Sequence, residues 1–278
     1  MSVTAEVEYS PPCSELFIYY LEGDLQEDPS GLKHFIGNWQ EDGFSFLFFT
    51  EPSLDQVQDL VYVTPLLRFI DHYQMSYHDW VGDKVTPFCT DRFFISPPWD
   101  STIAPSSKLR ITLDPGVVFG TGAHPTTRDC IEALELAFQS QPVYSALDLG
   151  TGTGILAVAA ARLGCQLTLA VDMNRLAAKT AQRNIRLNQL QQSVLVVQGS
   201  ADDFIQIQTD LLIANIHYDV MKRLVCSGGF LKKSIFILSG LLRSEAMDIE
   251  NRLKKLPVRI LNKWVRDGIW YTYWGIRN

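Results

Sequence analysis

Basic residues are scarce at the front of this chain. Residues 1–100 hold 4 Lys/Arg against 17 Asp/Glu. Such a segment repels nucleic-acid phosphates and steers a basic protein toward itself; a solvated acidic surface kept for solubility is the alternative. Long apolar runs are also missing. Ile155–Ala161 is among the longest, far short of the roughly 20 residues that cross a bilayer. The opening MSVTAEVEYS carries acid where a signal peptide carries basic residues, and no apolar core follows it. The five cysteines (Cys13, Cys89, Cys130, Cys165, Cys226) are odd in number and scattered, with no metal-ligand spacing among them. Reduced thiols are therefore expected, and neither a disulfide framework nor a zinc ribbon. The expectation is a cytoplasmic protein with no membrane segment, no metal and no direct nucleic-acid contact.

What is present suits two domains: 278 residues, 46% hydrophobic and 20% charged. Residues 101–278 reverse the charge, with 20 Lys/Arg against 14 Asp/Glu. Residues 1–70 read as a small acidic α+β domain. Its strands are Glu15–Leu21 and Gly43–Thr50, and a helix opens at Pro52-Ser53-Leu54-Asp55 and runs through Leu60. Residues 71–104 read as a linker and connecting strand, with weak periodicity over Asp71–Thr90 and a strand at Arg92–Ser96 stopped by Pro97-Pro98-Trp99. Residues 105–278 form the larger domain. Strands at Ser145–Leu149, Leu167–Val171, Val194–Val197, Leu211–Ala214 and Ile235–Leu238 alternate with helices such as Ile155–Leu163 and Arg175–Leu190, which predicts a doubly wound α/β parallel sheet. Val258–Val265 and Ile269–Ile276 then form a hairpin across Arg266-Asp267-Gly268. A parallel sheet closed by an antiparallel hairpin separates the methyltransferase version of this fold from the dehydrogenase version.

Three motifs carry chemistry. Asp148-Leu149-Gly150-Thr151-Gly152-Thr153-Gly154 lies between a strand and a helix. Its glycines allow a sharp turn and close approach of a ligand to the backbone, while the helix start presents N–H groups. The third glycine comes one residue earlier than in G-x-G-x-x-G, which suits a carboxylate-bearing ligand such as S-adenosylmethionine. Asp172 ends the next strand, where an acid accepts from ribose hydroxyls; its other possible role is a cap for the helix near Arg175. The third motif runs from Asp114-Pro115-Gly116 through Phe119-Gly120-Thr121-Gly122-Ala123-His124-Pro125-Thr126-Thr127. It reads as a shaped loop entering a helix with apolar stripe Cys130, Ile131, Leu134 and Phe138, capped by Thr126 or Thr127, with Asp129 favourable in the first turn.

FGTGxHPTT after DPG, followed by D-x-G-x-G-x-G, resembles the PrmA family of ribosomal-protein methyltransferases. The likeness extends through Val171-Asp172, Leu187-Asn188 and Ala214-Asn215-Ile216, and Phe93–Trp99 resembles the family's strand before its catalytic domain. The resemblance implies a seven-stranded methyltransferase domain behind a small recognition domain. It further implies S-adenosylmethionine as methyl donor, and lysine side chains or an N-terminal amine of a basic ribosomal protein as acceptor. It assigns cofactor contacts to Thr127, Gly150, Asp172 and Asn215, with Gly152, Gly154 and Phe119 shaping the same pocket and Asn215 beside the reacting amine. The chain departs from the family at His217-Tyr218 after Asn215-Ile216, and at Asn174, where many members carry a second acid. His124 is read either as a channel-lining group or as a brace of its loop, and His217 either as a pocket residue or as a helix start. Asp202 and Asp203 are either adenine contacts or solvated acids. Alternatives to the ribosomal acceptor are lysines of another protein, such as the electron-transfer flavoprotein β subunit, and a non-catalytic S-adenosylmethionine-binding module.

Overall fold

A computed structural model describes residues 11, 13–25, 29–81 and 86–278. The chain divides into two compact units. One comprises Met1–Lys84, Pro98–Ser101 and Asn174–Leu176; the other comprises Val85–Pro97, Thr102–Met173 and Ala177–Asn278.

The first unit holds β1 (Glu15–Glu22), β2 (Phe35–Glu41), β3 (Phe44–Phe49), α1 (Leu54–Val63), β4 (Arg68–Ser76) and α2 (Tyr77–Val81). Its strands pair antiparallel in the order β2-β3-β1-β4. Alternation along β1 sends side chains to both faces. Tyr19 and Leu21 join Leu47, Phe49 and Val57 of α1 in one cluster. Phe48 points to the other face, where Trp80 of α2 meets it edge-on at 5.1 Å. The buried hydroxyl of Tyr19 accepts from the Ser53 N–H at 2.6 Å, tying the start of α1 to the sheet. β2, β4 and the short α2 escape the sequence reading here. β2 is broken by Gly37 and Asn38, which mask its periodicity, yet Asp42 (φ 51°) and Gly43 (φ 79°) form the two-residue turn that Asp-Gly signals. β4 occupies the first part of the stretch read as a linker; its residues are mostly exposed, so no apolar alternation marks it.

The second unit contains a three-stranded sheet, β5 (Phe88–Cys89), β6 (Phe93–Ser96) and β7 (Leu109–Thr112), and a seven-stranded one. The latter comprises β8 (Ser145–Leu149), β9 (Leu167–Asp172), β10 (Val194–Gln198), β11 (Thr209–Asn215), β12 (Lys233–Leu242), β13 (Val258–Arg266) and β14 (Trp270–Arg277). Its order is β10-β9-β8-β11-β12-β14-β13. The first five strands are parallel and the last two antiparallel. The expected seven-stranded α/β sheet ending in a hairpin is therefore the observed one. At the hairpin tip Asp267 (φ 54°) and Gly268 (φ 68°) adopt the Asp-Gly turn, closed by Ile269 N–H to Arg266 C=O at 2.9 Å.

Period-two alternation builds two cores. Ala146, Leu211, Ile213, Ile235 and Ile237 face α3 (Pro125–Ser140) and α4 (Ile155–Arg162). Leu147, Leu212, Ala214, Phe236 and Leu238 face α7 (Tyr218–Cys226) and α8 (Arg243–Leu253). Between them in the chain lie α5 (Arg175–Leu187) and α6 (Ala201–Phe204). The strand order reverses between β8 and β11, so their carboxyl ends flank the crevice where open α/β sheets bind ligands. Among the described residues no helix is long and apolar enough to cross a membrane.

Replacing Tyr19 with Phe strands the Ser53 N–H without its partner. The first unit should lose about 1–3 kcal/mol, read as an earlier transition in urea followed by hydrogen exchange of the β1 amides.

Candidate active site

The turn between β8 and α4 takes the backbone that its glycines permit: Gly150, Gly152 and Gly154 have φ of 74°, 55° and 82°. A Cβ on Gly152 would stand 2.6 Å from the Phe119 carbonyl oxygen, so only glycine fits there. The Gly150 and Thr151 N–H groups donate to Val171 C=O at 2.8 and 3.0 Å, and Gly152 N–H donates to Asp172 Oδ2 at 2.9 Å. Asp172, at the end of β9, thus faces the turn and is 9% exposed. Asn174, not Asp172, caps the next helix, its Oδ1 accepting from Leu176 N–H at 2.9 Å.

Asp148 lies beneath the turn, fully buried, and its Oδ2 accepts from Thr151 Oγ1 at 2.6 Å. Burial pushes its carboxyl up to about 7; the Thr151 hydroxyl and the Ala157 backbone oppose the rise, and the Asp172 charge adds to it.

The loop from Asp114 to His124 is fastened to this turn. Thr153 N–H donates to Phe119 C=O at 3.2 Å, and Thr153 Oγ1 to Gly120 C=O at 2.6 Å. From α5, the fully buried Asn184 donates to Asp114 C=O and Thr153 C=O, each at 2.8 Å, and accepts from Asp114 N–H at 2.8 Å. One turn later Asn188 bonds both backbone groups of Thr112, at 3.0 and 2.6 Å. Two asparagines four apart on a polar-faced helix were the signal for this clamp, which the sequence reading did not use.

The helix after the loop is not capped by Thr126 or Thr127, as expected, but by His124. Pro125 takes the first helical position, and His124 Nδ1 accepts from Thr126 N–H at 3.4 Å and lies 2.7 Å from Thr126 Oγ1. Burial holds the imidazole below its ordinary pKa, hence neutral. Asn215 Nδ2, at the end of β11, donates to Thr126 Oγ1 at 3.4 Å, so a polar chain runs Asn215–Thr126–His124. Gly240 (φ 84°) lies over Asn215; a Cβ there would be 3.0 Å from Asn215 Oδ1. Thr127 is 1% exposed and its Oγ1 makes no hydrogen bond among the described residues.

Around His124 stand two aromatic rings, Phe119 at 5.4 Å and Trp270 of β14 edge-on at 4.8 Å. Trp270 was missed because only the sheet order brings β14 to this end. Phe119 remains 52% exposed. Asp129, expected as a favourable first-turn charge, is instead fully buried and pairs with Arg266 at 2.6 Å. His217 is the exposed N-cap position of α7. Asp202 is engaged by Arg223 at 2.8 Å, while Asp203 is exposed.

Sheet order, closing hairpin and glycine turn together define the methyltransferase version of the doubly wound fold. The chain belongs to the family described as Ribosomal protein L11 methyltransferase (PrmA), whose profile matches residues 70–276. Similar relatives bear the same name. One from Listeria monocytogenes serotype 4b (strain CLIP80459) is 36% identical over 189 residues, covering 65% of this chain and 58% of the relative. One from Desulfitobacterium hafniense (strain DSM 10664 / DCB-2) is 39% identical over 173 residues, covering 62% and 54%. The chain therefore spans little more than half the length of these relatives. A crystal structure of ribosomal protein L11 methylase from Lactobacillus delbrueckii subsp. bulgaricus superposes with a TM-score of 0.61 at 26% identity, covering 69% of this chain and 99% of that one.

Two outcomes follow from this geometry. Gly152→Ala forces its Cβ into the Phe119 carbonyl and should abolish ligand binding at the turn while the β12–β14 amides keep their exchange protection. Asp148 has a folded pKa of about 7 against roughly 3.9 unfolded. The folded state thus holds its proton more tightly. The stability gained is complete below about pH 4, declines as pH rises to about 7, and is gone above it. Asp148→Asn should remove that decline, so denaturation at pH 8 should favour the variant by a few kcal/mol relative to its standing at pH 4.

Proposed function

We propose that this chain transfers methyl groups from S-adenosylmethionine to lysine side chains or the N-terminal amine of a ribosomal protein of the L11 kind. The observation that carries this reading is the convergence of Asp172 on the glycine turn with the Asn215–Thr126–His124 chain at the carboxyl ends of neighbouring strands. The residues fit the donor: two acids, Asp148 and Asp172, suit a cationic, ribose-bearing molecule. The orphaned Thr127 Oγ1 supplies a buried group awaiting a partner.

Thr127, Gly150, Asp172 and Asn215 would hold the cofactor, with Gly152, Gly154 and Phe119 shaping its seat. When bound, it supplies an electrophilic methyl group. The chain's own contribution is position and water exclusion. An amine attacks only when neutral. Deprotonating an ordinary lysine at pH 7 costs roughly 4.6 kcal/mol, and an N-terminal amine only about 1–1.4. The aromatic surroundings of His124 lower that cost by disfavouring the charged amine through desolvation. Asn215 Nδ2 is turned toward Thr126, which leaves its Oδ1, under the bare Gly240, to accept from the amine and orient its lone pair. Neutral His124 accepts at Nδ1, which fixes the Thr126 hydroxyl and through it the Asn215 amide.

Incubating the chain with labelled S-adenosylmethionine and purified ribosomal protein L11 should place label on an amine of that protein, while NAD should not bind. Heat of NAD binding in the micromolar range, with none for S-adenosylmethionine, would overturn the reading. Asp172→Ala removes charge-assisted hydrogen bonds of roughly 1.5–3 kcal/mol each. Cofactor dissociation constants measured by calorimetry should rise more than tenfold, and an unchanged constant would reduce Asp172 to a support of Gly152.

A further inference from the structure

Asp129 is a buried acid with no part in the methyl transfer proposed above. It lies near the start of α3, its side chain wholly out of water. Arg266, 137 residues further on at the end of β13, grips one of its oxygens with two donors, Nε at 2.7 Å and Nη2 at 2.6 Å from Oδ1. Oδ2 has no hydrogen-bond partner among the described residues. Nη2 also stands 3.6 Å from Glu132 Oε2, further along α3. Burying such a pair costs the hydration of its charges, and apolar residues of similar size commonly serve stability as well or better. What apolar packing does not supply is a single fixed arrangement of the two segments the pair joins.

Those two segments meet again at the candidate site. Asp129 lies five residues after His124, the cap of α3. Arg266 is the cross-strand partner of Trp270, and its C=O closes the turn by accepting from Ile269 N–H at 2.9 Å. The Trp270 and His124 rings meet edge-on, centres 4.8 Å apart and planes at 79°. Asp267, Gly268 and Ile269, between Arg266 and Trp270, are all exposed, so little packing steadies the tip. Among the described residues no hydrogen bond or ion pair other than those of Arg266 joins β13 or β14 to α3.

We propose that Asp129 and Arg266 are positioning residues for methyl transfer: by pinning the hairpin tip to the start of α3 they hold the Trp270 ring against His124. This rests on the methyltransferase reading above, in which the rings around His124 desolvate the attacking amine. The pair touches neither the glycine turn nor Asp172, so it acts on the acceptor side of the site and not on the donor side.

The test uses the full chain and an Asp129→Leu/Arg266→Met variant, which removes the pair without stranding either charge. Its urea midpoint and its calorimetric affinity for S-adenosylmethionine should match the wild type. Its kcat on ribosomal protein L11 should fall about tenfold to a hundredfold, the scale on which a misplacement of about 1 Å acts. The His124 ring-proton resonances, displaced in the wild type by the Trp270 ring current, should return toward ordinary imidazole positions. Arg266→Lys serves if the double variant does not fold, because lysine keeps a countercharge beside Asp129 but lacks the planar fork that fixes the tip. It should show the same fall in kcat and the same movement of the His124 signals. An unchanged kcat in a folded variant would overturn the positioning role while leaving the methyltransferase reading standing. A fall in kcat with unmoved His124 resonances would overturn it as well. A wild type that transfers no label to any amine would sink the methyltransferase reading, and this proposal with it.

Discussion

One buried amide holds together the end of the second unit where the glycine turn and the Asp114 loop meet. Asn184 spends both donors and its acceptor on backbone groups, reaching from α5 to the Asp114 loop and to the glycine turn. Neither partner segment has regular structure, so neither can satisfy its own backbone within a ladder. Without the amide, the Asp114 and Thr153 carbonyls would be buried and unpaired, and the loop carrying Phe119, Gly120 and His124 would lose its seat beside Gly152. The glycines give the turn its freedom, and Asn184 removes that freedom again, leaving one conformation.

Charge is arranged on the same principle. Asp148 and Asp172 lie close enough for one to raise the other, and both are buried. Two ionised carboxylates there cost stability unless Asp148 keeps its proton or a cation joins them. A positive ligand would offset that cost, and the neutral His124 adds no charge of its own.

How much of this was legible depended on whether the signal was local. The glycine turn and the Asp-Gly hairpin announce themselves within a few residues, because each is a backbone requirement met locally; Asp172 was read from its place at a strand end and Asn215 from the family resemblance, since their partners are distant in sequence. The alternating strands of the seven-stranded sheet were legible because burial on both faces leaves little but apolar residues in them. β4 was not, since a solvated edge imposes no pattern on its sequence. Nor was the pairing of Trp270 with His124, which are 146 positions apart and meet only through the sheet order. The capping role of His124 was hidden by two threonines with the better prior as caps; Pro125 settles the matter by starting the helix ahead of both.

The placing of β14 has a consequence for how the molecule comes into being. β14 lies between β12 and β13, although it follows both along the chain. As the polypeptide emerges, β13, the edge strand, appears before β14, the one strand it pairs with. The glycine turn, its asparagine clamp and the Asp172 contact use no residue beyond Asn188, whereas the wall beside His124 arrives only with Trp270. Along the chain, the residues of the cradle are therefore complete well before those of the wall beside His124, which the hairpin supplies last.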